Sequence, residues 1–495
     1  MSPTDAGFFE HRPDAALRGR FNPSGYFPIL LAAAILGVGI GVMACLDPSL
    51  SPYHPLWGIA PSYLPRIPFL WTATVVAALS LIGAAVLSWR WAAENRYPLI
   101  VIAVTASPAI TGINIGNRDA FEASFALALL IWFASAMVER RPVRTPRSVL
   151  ALLMALSVMT VVSVVNGLVV SILGLHTLIV KFLAVFLIVE LVSTPPLLRL
   201  AFKTLVVICI ISALVALGSE VLYILTGIQI SFDDTPASRL KSTPIGKMLR
   251  ATAFMPATQS LGHLLLVGVA LVLLQPGRLI VRLALAGLFL AGIVATFSTG
   301  SYIAAGVVVI LWPLVQWPSH VLHYLGLVST AGLIVYFTNL WEKILSFLEK
   351  GAGEGLSERI ELIKGGFALI QEYPVAGIGV RNSLRVLHLP VHNSYVQMGA
   401  ELGIAGGVLF TILVAYVTAA AMLAAWRAKE ERDQGWCAGL ALGMIGVGVH
   451  FLSTPLANDY MTYTFFGLAI SAALVFRNEY ASEKRLTHER PLPTT

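Results

Sequence analysis

The chain has 495 residues, 57% of them hydrophobic and 12% charged, with a mean hydropathy of +0.80. Soluble domains carry about 25% charged residues, so the composition excludes a soluble globular class and reads as a polytopic membrane protein. The net charge of +7 is informative by position rather than as a total, and no nucleic-acid partner is expected. The three cysteines, Cys45, Cys209 and Cys437, all lie in apolar segments. They offer neither a disulfide framework nor metal-ligand spacing.

Residues 1–26 are polar and carry Arg12, Arg18 and Arg20, so the first apolar segment reads as an uncleaved span. A bilayer core takes ~20 apolar residues per helix. On that measure about fourteen segments qualify: 27–46, 67–89, 97–114, 120–138, 148–167, 172–192, 202–225, 256–275, 279–297, 301–317, 321–338, 402–426, 436–453 and 459–476. Pro108 and Gly112 interrupt the third. Only Phe297-Ser298-Thr299-Gly300 separates the ninth from the tenth, which predicts a tight hairpin.

Alternating the spans with the N-terminus in the cytoplasm puts twenty Lys and Arg on inner segments, among them Arg140, Arg141, Arg199, Lys203, Arg427 and Arg432. The short outer loops then hold only Arg66 and Arg118. This is a strong positive-inside pattern, and it places both termini inside. Two long loops, about 226–255 and 339–401, fall outside and are basic: Arg239, Lys241, Lys247 and Arg250 in the first, and Lys343, Lys350, Arg359, Lys364, Arg381 and Arg385 in the second. Long loops translocate whatever their charge, and charged loops are commonly just solvated. The same arginines also suit an anionic ligand such as a diphosphate.

In the large loop Ser357 is placed to cap a helix running to about Tyr373, with Glu358 in its first turn. Ile360, Ile363, Phe367 and Ile370 recur at helical spacing and predict its packed face. Pro374 stops this helix, and Gly377 and Gly379 permit a turn with positive φ. A second helix is expected from His392 or Asn393 into the span at 402–426, with Asn393, Gln397 and Glu401 forming one polar stripe. His392 then stands at a helix start, where a neutral imidazole can accept a proton and backbone amides suit phosphate oxygens. A surface or capping role is the plainer reading of a lone histidine.

In the smaller loop Asp233-Asp234 before Pro236 reads as a turn more readily than as a metal site. Arg250 sits beside the eighth span and either grips a lipid phosphate or anchors the helix. Within the spans Lys181, Glu190, Glu220, His263 and His450 are ionisable and costly to bury. Lys181 is the best candidate for an internal polar pair.

The pattern of Arg359, then Glu372-Tyr373-Pro374-Val375-Ala376-Gly377-Ile378-Gly379, then His392-Asn393-Ser394-Tyr395 and Glu401-Leu402-Gly403-Ile404-Ala405-Gly406 resembles the O-antigen ligase/polymerase family. The likeness is clearest over about 250–426. The resemblance implies a polytopic fold of the GT-C class with a large periplasmic loop; the span count and helical spacing make it all-α, with about 14 transmembrane helices and helices within that loop. The apolar runs and the charge pattern predict a cytoplasmic tail at 1–26, spans 1–11 over 27–338 with a periplasmic loop at about 226–255, the large periplasmic loop at 339–401, spans 12–14 over 402–476, and a cytoplasmic tail at 477–495. The implied location is the bacterial inner membrane.

The implied activity is a metal-independent, inverting glycosyltransferase without cofactor. Its donor is an undecaprenyl-diphosphate-linked glycan, its acceptor another glycan or lipid A-core, and polysaccharide assembly proteins are possible partners besides membrane lipids. By resemblance His392 activates the acceptor hydroxyl, and Arg250 and Arg359 hold the donor diphosphate. Many members carry Ser-Arg-Gly at the hairpin; here Ser301-Tyr302 follows Thr299-Gly300 and that arginine is missing. Arg381 or Arg385 is the expected substitute, and Asn393 and Glu401 are expected to support the site.

A polymerase of O-antigen or exopolysaccharide is the preferred expectation, on the span count and the Ser-Thr-Gly-Ser hairpin; an O-antigen ligase is the alternative. A lipid-linked oligosaccharide flippase would predict related halves, and no internal repeat is visible. A non-enzymatic assembly scaffold would predict that neither His392 nor Arg359 matters.

Overall fold

The computed structural model describes residues 96–111, short pieces between 114 and 133, and then 143–166, 168–226, 240–243, 246–338 and 356–488. The first two predicted spans, the N-terminal tail, Asp233-Asp234, Arg239, Lys343 and Lys350 lie outside these residues, as does most of the fourth predicted span.

Helix α1 (Arg96–Ala106) gives way at Pro108 to a 3-10 turn over Ser107–Ile110. This is what a proline without an amide donor imposes. Then follow α2 (Arg147–Ser163), α3 (Leu168–Leu191), α4 (Pro195–Thr226), α5 (Thr258–Leu273), α6 (Leu279–Ala295), α7 (Thr299–Gln316) and α8 (Val321–Phe337). The large loop contributes α9 (Leu356–Glu372) and the short α10 (Asn382–Leu387). The chain ends with α11 (Ser394–Arg427), α12 (Glu431–Phe451) and α13 (Tyr460–His488).

Every predicted span from 148 onward coincides with one of these helices. By length and apolarity six helical stretches among the described residues can cross a membrane: Arg147–Asn166, Pro195–Thr226, Thr299–Gln316, Ser394–Arg427, Glu431–Phe451 and Tyr460–Arg477. Two antiparallel strand pairs depart from an all-helical reading: β1 (Asn114–Ile115) with β2 (Arg118–Asp119), and β3 (Leu240–Thr243) with β4 (Gly246–Leu249). Both lie in connections, where backbone amides left over from helices still need partners.

Helix α5 is buried on all sides from Ser260 to Leu273, as expected of a helix that is apolar all round. It packs against α4, α6, α7 and α12. Helix α13 is almost as enclosed, against α3 and α11. Helix α8, by contrast, exposes Leu322, Leu327 and Phe337. Such apolar exposure suits contact with lipid tails.

The helix ends sort into two sets. At one end Arg199 of α4 makes a two-pronged pair with Asp433 of α12, both contacts at 2.6 Å, and reaches Glu430 at 2.5 Å. Arg282 bonds Gln316 Oε1 and the Leu273 carbonyl there. Glu190 accepts from the amides of Arg144 and Thr145 ahead of α2. Glu190 is thus a capping carboxylate, not a group in transit. The opposite end gathers the α2–α3 junction, Arg250, the α6–α7 hairpin, the large loop, the start of α11 and the α12–α13 turn.

Candidate functional site

The site is organised by a break in α11. Gly403 adopts φ +79°, ψ 175° inside that helix, a conformation essentially reserved for glycine. The break orphans backbone groups at a depth where they need internal partners. The turn after Pro374 supplies them. The amides of Ile378 and Gly379 donate to the carbonyls of Ala400 (2.9 Å) and Glu401 (3.0 Å), and the Ile404 amide donates to the Pro374 carbonyl (2.9 Å). Gly377 (φ +63°) lets this turn lie directly on the Glu401 backbone, where a Cβ would overlap it. The Pro-x-x-Gly-x-Gly and Glu-x-Gly motifs are therefore two halves of one seam. Glu401, fully buried, accepts from Ser383 Oγ (2.5 Å) and Gln397 Nε2 (3.0 Å) and ties α10 to the same seam. Asn166 Nδ2 donates to the Gly377 carbonyl at 2.7 Å and joins the α2–α3 junction to it.

Helix α9 lies on this first segment of α11. Its buried residues are Leu362, Gly366 and Leu369, with Gly366 against Val391 and Val396. Ile360 and Phe367, expected on the packed face, are 43% and 52% exposed. Ile363 and Ile370 are half-buried as expected, Ile370 lying on Gly399 of α11, but the packed face is rotated toward Leu362, Gly366 and Leu369 because α9 makes a close approach at Gly366, which carries no side chain.

Helix α11 begins as its sequence predicts. Asn393 is the N-cap, its Oδ1 accepting from the amides of Tyr395 and Val396, both at 3.0 Å. Such a cap stabilises a helix by about 1 kcal/mol. Asn393 is thereby a capping residue, while Gln397 and Glu401 keep the polar stripe between them. Its Nδ2 donates to the Leu452 carbonyl, and Ser394 Oγ bridges the Thr454 carbonyl and the amides of Leu456 and Ala457. His392, 5% exposed, is the residue immediately before this cap.

Arg359 lies in the first turn of α9, seven residues ahead of Gly366. At 1.5 Å per residue that is about 10 Å along the helix, beyond the start of α11 and on the His392 side. Its Nε is buried and has no hydrogen-bond partner among the described residues. Buried donors are normally satisfied. Arg250 follows β4, next to the first turn of α5, where its Nη2 donates to Thr258 Oγ1 at 3.2 Å. It is within electrostatic reach of Tyr302 on α7. The Ala251 amide donates to the Ala295 carbonyl, which fixes this segment on the hairpin.

Arg381 is exposed, with φ +64°, at the N-terminus of α10. It stands beyond the seam at Glu401, eight residues or about 12 Å along α11 from Asn393. The structure thus places His392 and Asn393 at the start of α11, Arg359 in the first turn of α9, Arg250 beside α5 and the α6–α7 hairpin, and Arg381 and Glu401 at the seam.

Of the intramembrane ionisable groups, Lys181 packs over the Tyr460 ring at 4.8 Å and faces Asp459. Burial pushes the Asp459 carboxyl up, and bonds from Ser260 and the Met461 amide, with Lys181 beside it, pull it back. Lys181, the expected member of an internal polar pair, thus lies within electrostatic reach of Asp459 at the start of the last span. His263 and His450 meet each other, a contact that no spacing in the sequence announces because 187 residues separate them.

Residues 283–411 match the model of the O-antigen ligase family. The match supports the O-antigen ligase family for this chain. The matched stretch takes in the α6–α7 hairpin, α9, Arg381, His392, Asn393 and Glu401; Arg250 lies upstream of it. With the membrane-crossing helices, it supports a membrane role in ligating or polymerising glycan. No curated protein matches. One solved chain, from work on a peptidoglycan synthase complex that coordinates polymerization and crosslinking, aligns with 68% of this chain and 99% of its own at 20% identity. Its TM-score of 0.37 is too low to define a shared fold.

Proposed function

We propose that the chain transfers glycan from an undecaprenyl-diphosphate-linked donor to a hydroxyl acceptor at the loop end of the bundle. His392 acts as general base on the acceptor hydroxyl. Arg250 and Arg359 bind the donor diphosphate, with Arg381 an outlying third contact and Asn393 and Glu401 as supports. The observation that carries this reading is the seating of His392 at the α11 start, inside the family match, together with a buried Arg359 Nε that has no hydrogen-bond partner among the described residues.

The chemistry suits these groups. A sugar hydroxyl is a poor nucleophile, and a positioned base contributes ~10²–10⁴-fold. Arginines neutralise the charge that grows on a departing diphosphate, so the displacement requires no metal from the protein. Direct attack by the hydroxyl inverts the anomeric centre. The positive-inside pattern puts this end in the periplasm of a bacterial inner membrane and both termini in the cytoplasm.

Ligation to a lipid A-core acceptor is favoured by the description of the matched family. Polymerisation of O-antigen or exopolysaccharide units is the second reading, since donor chemistry is common to both. Purified protein incubated with lipid-linked repeats alone separates them. A ladder on undecaprenyl diphosphate supports a polymerase; product only after lipid A-core is added supports a ligase. In cells, His392→Ala should leave lipid-linked donor accumulated on the outer face. Donor trapped inside would instead indicate a flippase and sink the transferase reading.

A further inference from the structure

His263 of α5 and His450 of α12 are fully buried, with their Nδ1 atoms 3.4 Å apart. Ser301 Oγ lies 3.2 Å from His450 Nε2, and Thr462 Oγ1 lies 3.2 Å from His263 Nε2. Thr462 also reaches the Leu456 carbonyl at 3.2 Å.

Two Nδ1 atoms facing each other can share only one proton. A neutral imidazole has one N–H, so one ring must be the Nδ1–H tautomer and the other the Nε2–H tautomer. One arrangement satisfies the whole chain. Ser301 donates to His450 Nε2, and His450 Nδ1–H donates to His263 Nδ1. His263 Nε2–H then donates to Thr462, and Thr462 donates to the Leu456 carbonyl. A second proton on the pair would set two N–H groups head to head.

This chain closes around the turn at 452–457. One end of the turn hangs from the His450 carbonyl, which accepts from Thr454 Oγ1 (2.6 Å) and the Ser453 amide (3.1 Å). The other end is Leu456, held through Thr462 and His263. The turn is also the seat of α11, through Asn393 to Leu452 and Ser394 to Thr454, Leu456 and Ala457. Gly300 lets α7 close on it: a Cβ there would stand 2.5 Å from Ser453 Oγ and 3.2 Å from the His450 ring.

We infer that the His263–His450 pair, by sharing one proton, is a positioning unit that fixes the 452–457 turn and thereby the placement of His392. The inference rests on the reading of His392 as the general base. A fully satisfied polar network in a low-dielectric interior is rigid, whereas a partly satisfied one is costly, so removing one member should loosen the turn.

The test uses the full-length protein in detergent or nanodiscs, with His263→Phe, which keeps a ring, and Thr462→Val, which removes only the terminal hydroxyl. Turnover of an undecaprenyl-diphosphate glycan should fall about tenfold or more in kcat, with donor KM little changed, because a small misplacement of a catalytic group is costly. Amide exchange at 392–397 and 452–457 should quicken in both variants. Histidine-selective ¹⁵N spectra of the wild type should show one Nδ1–H and one Nε2–H ring that disappear together in His263→Phe. Unchanged exchange at 392–397, or undiminished kcat in both variants, overturns the inference. If the wild type itself transfers no glycan, the transferase reading fails, and the exchange and ¹⁵N results decide the link to the turn on their own.

Discussion

Arg199 at one end of the helix bundle and Arg359 at the other are used differently. At the end carrying Arg199, the guanidinium is spent on the protein: Asp433 meets it in two-pronged fashion and Glu430 adds a third contact. At the loop end, Arg359, Arg381 and Arg385 make no ion pair among the described residues. The buried acid at the seam, Glu401, accepts from Ser383 and Gln397 through Oε1 and makes no ion pair among the described residues. Paired charges hold helices, and arginines with no ion pair among the described residues are the ones proposed to meet an anion. The difference separates an arginine that holds helices together from arginines that make no ion pair among the described residues, and it is on the second kind that the proposed donor site rests.

The sharpest way to break this contrast is at His392. His392→Ala should lower glycan transfer by ~10²–10⁴-fold while the protein remains folded, measured as lipid-linked product per unit time. Turnover near wild type would remove the site from this end. Next in size is Arg359→Ala. A hydrogen bond to a charged group is worth about 1.5–3 kcal/mol, so donor KM should rise about 10- to 100-fold. Arg359→Lys should recover only part of this, because an ammonium keeps the charge and loses the planar fork. Full recovery by lysine would mean that Arg359 acts as a diffuse charge.

The seam that carries the site is testable separately. Gly403→Ala puts a Cβ onto the Val375 carbonyl in a backbone region that non-glycine residues avoid. It should cost at least about 2 kcal/mol. Unfolding in detergent measures that cost, and the amides of Ile378, Gly379 and Ile404 should lose protection together. Loss at only one of them would mean the two motifs are not one structural unit.

Much of this architecture was legible in the sequence because its signals are local. Apolar runs of membrane length marked the helices from α2 onward, Pro374 the end of α9, the two glycines the positive-φ turn, and Asn393 the start of α11. What was not legible is long-range. Glu401-Leu402-Gly403 reads as an ordinary helix entry, and nothing in it says that Gly403 opens a break filled from Pro374. The face of α9 was only half legible: Ile370 packs as its spacing suggests, whereas Ile360 and Phe367 are exposed because periodicity weighs large side chains and does not see the contact at Gly366. The meeting of His263 with His450 and the approach of Lys181 to Asp459 need the fold, since each partner lies far away in sequence.

On the opposite end, Asp433→Asn should destabilise by about 1–2 kcal/mol, because it turns a charge-assisted pair into neutral hydrogen bonds while keeping the shape. Arg199 is partly exposed, so salt should shrink the effect. Activity per folded molecule should stay within about twofold, a margin worth under 1 kcal/mol. A selective loss of transfer would show that this end also bears on the chemistry, and the division between the ends would fall.

The smallest expected effect belongs to Arg381. It is exposed, caps a six-residue helix from a left-handed conformation, and contributes no side-chain bond to that cap. Arg381→Ala should therefore change stability by less than about 0.5 kcal/mol. Its effect on the donor is the finer question, since it stands about 12 Å along α11 from the cap. A diphosphate gripped by Arg250 and Arg359 would feel Arg381 only as a screened charge across water, which predicts a rise in donor KM of about threefold or less that vanishes at high salt. If Arg381→Ala instead matched Arg359→Ala and kept its effect in salt, the donor would have to lie along the seam from His392 to Glu401. The unspent arginines would then form a track along α11 and not a cluster at its start.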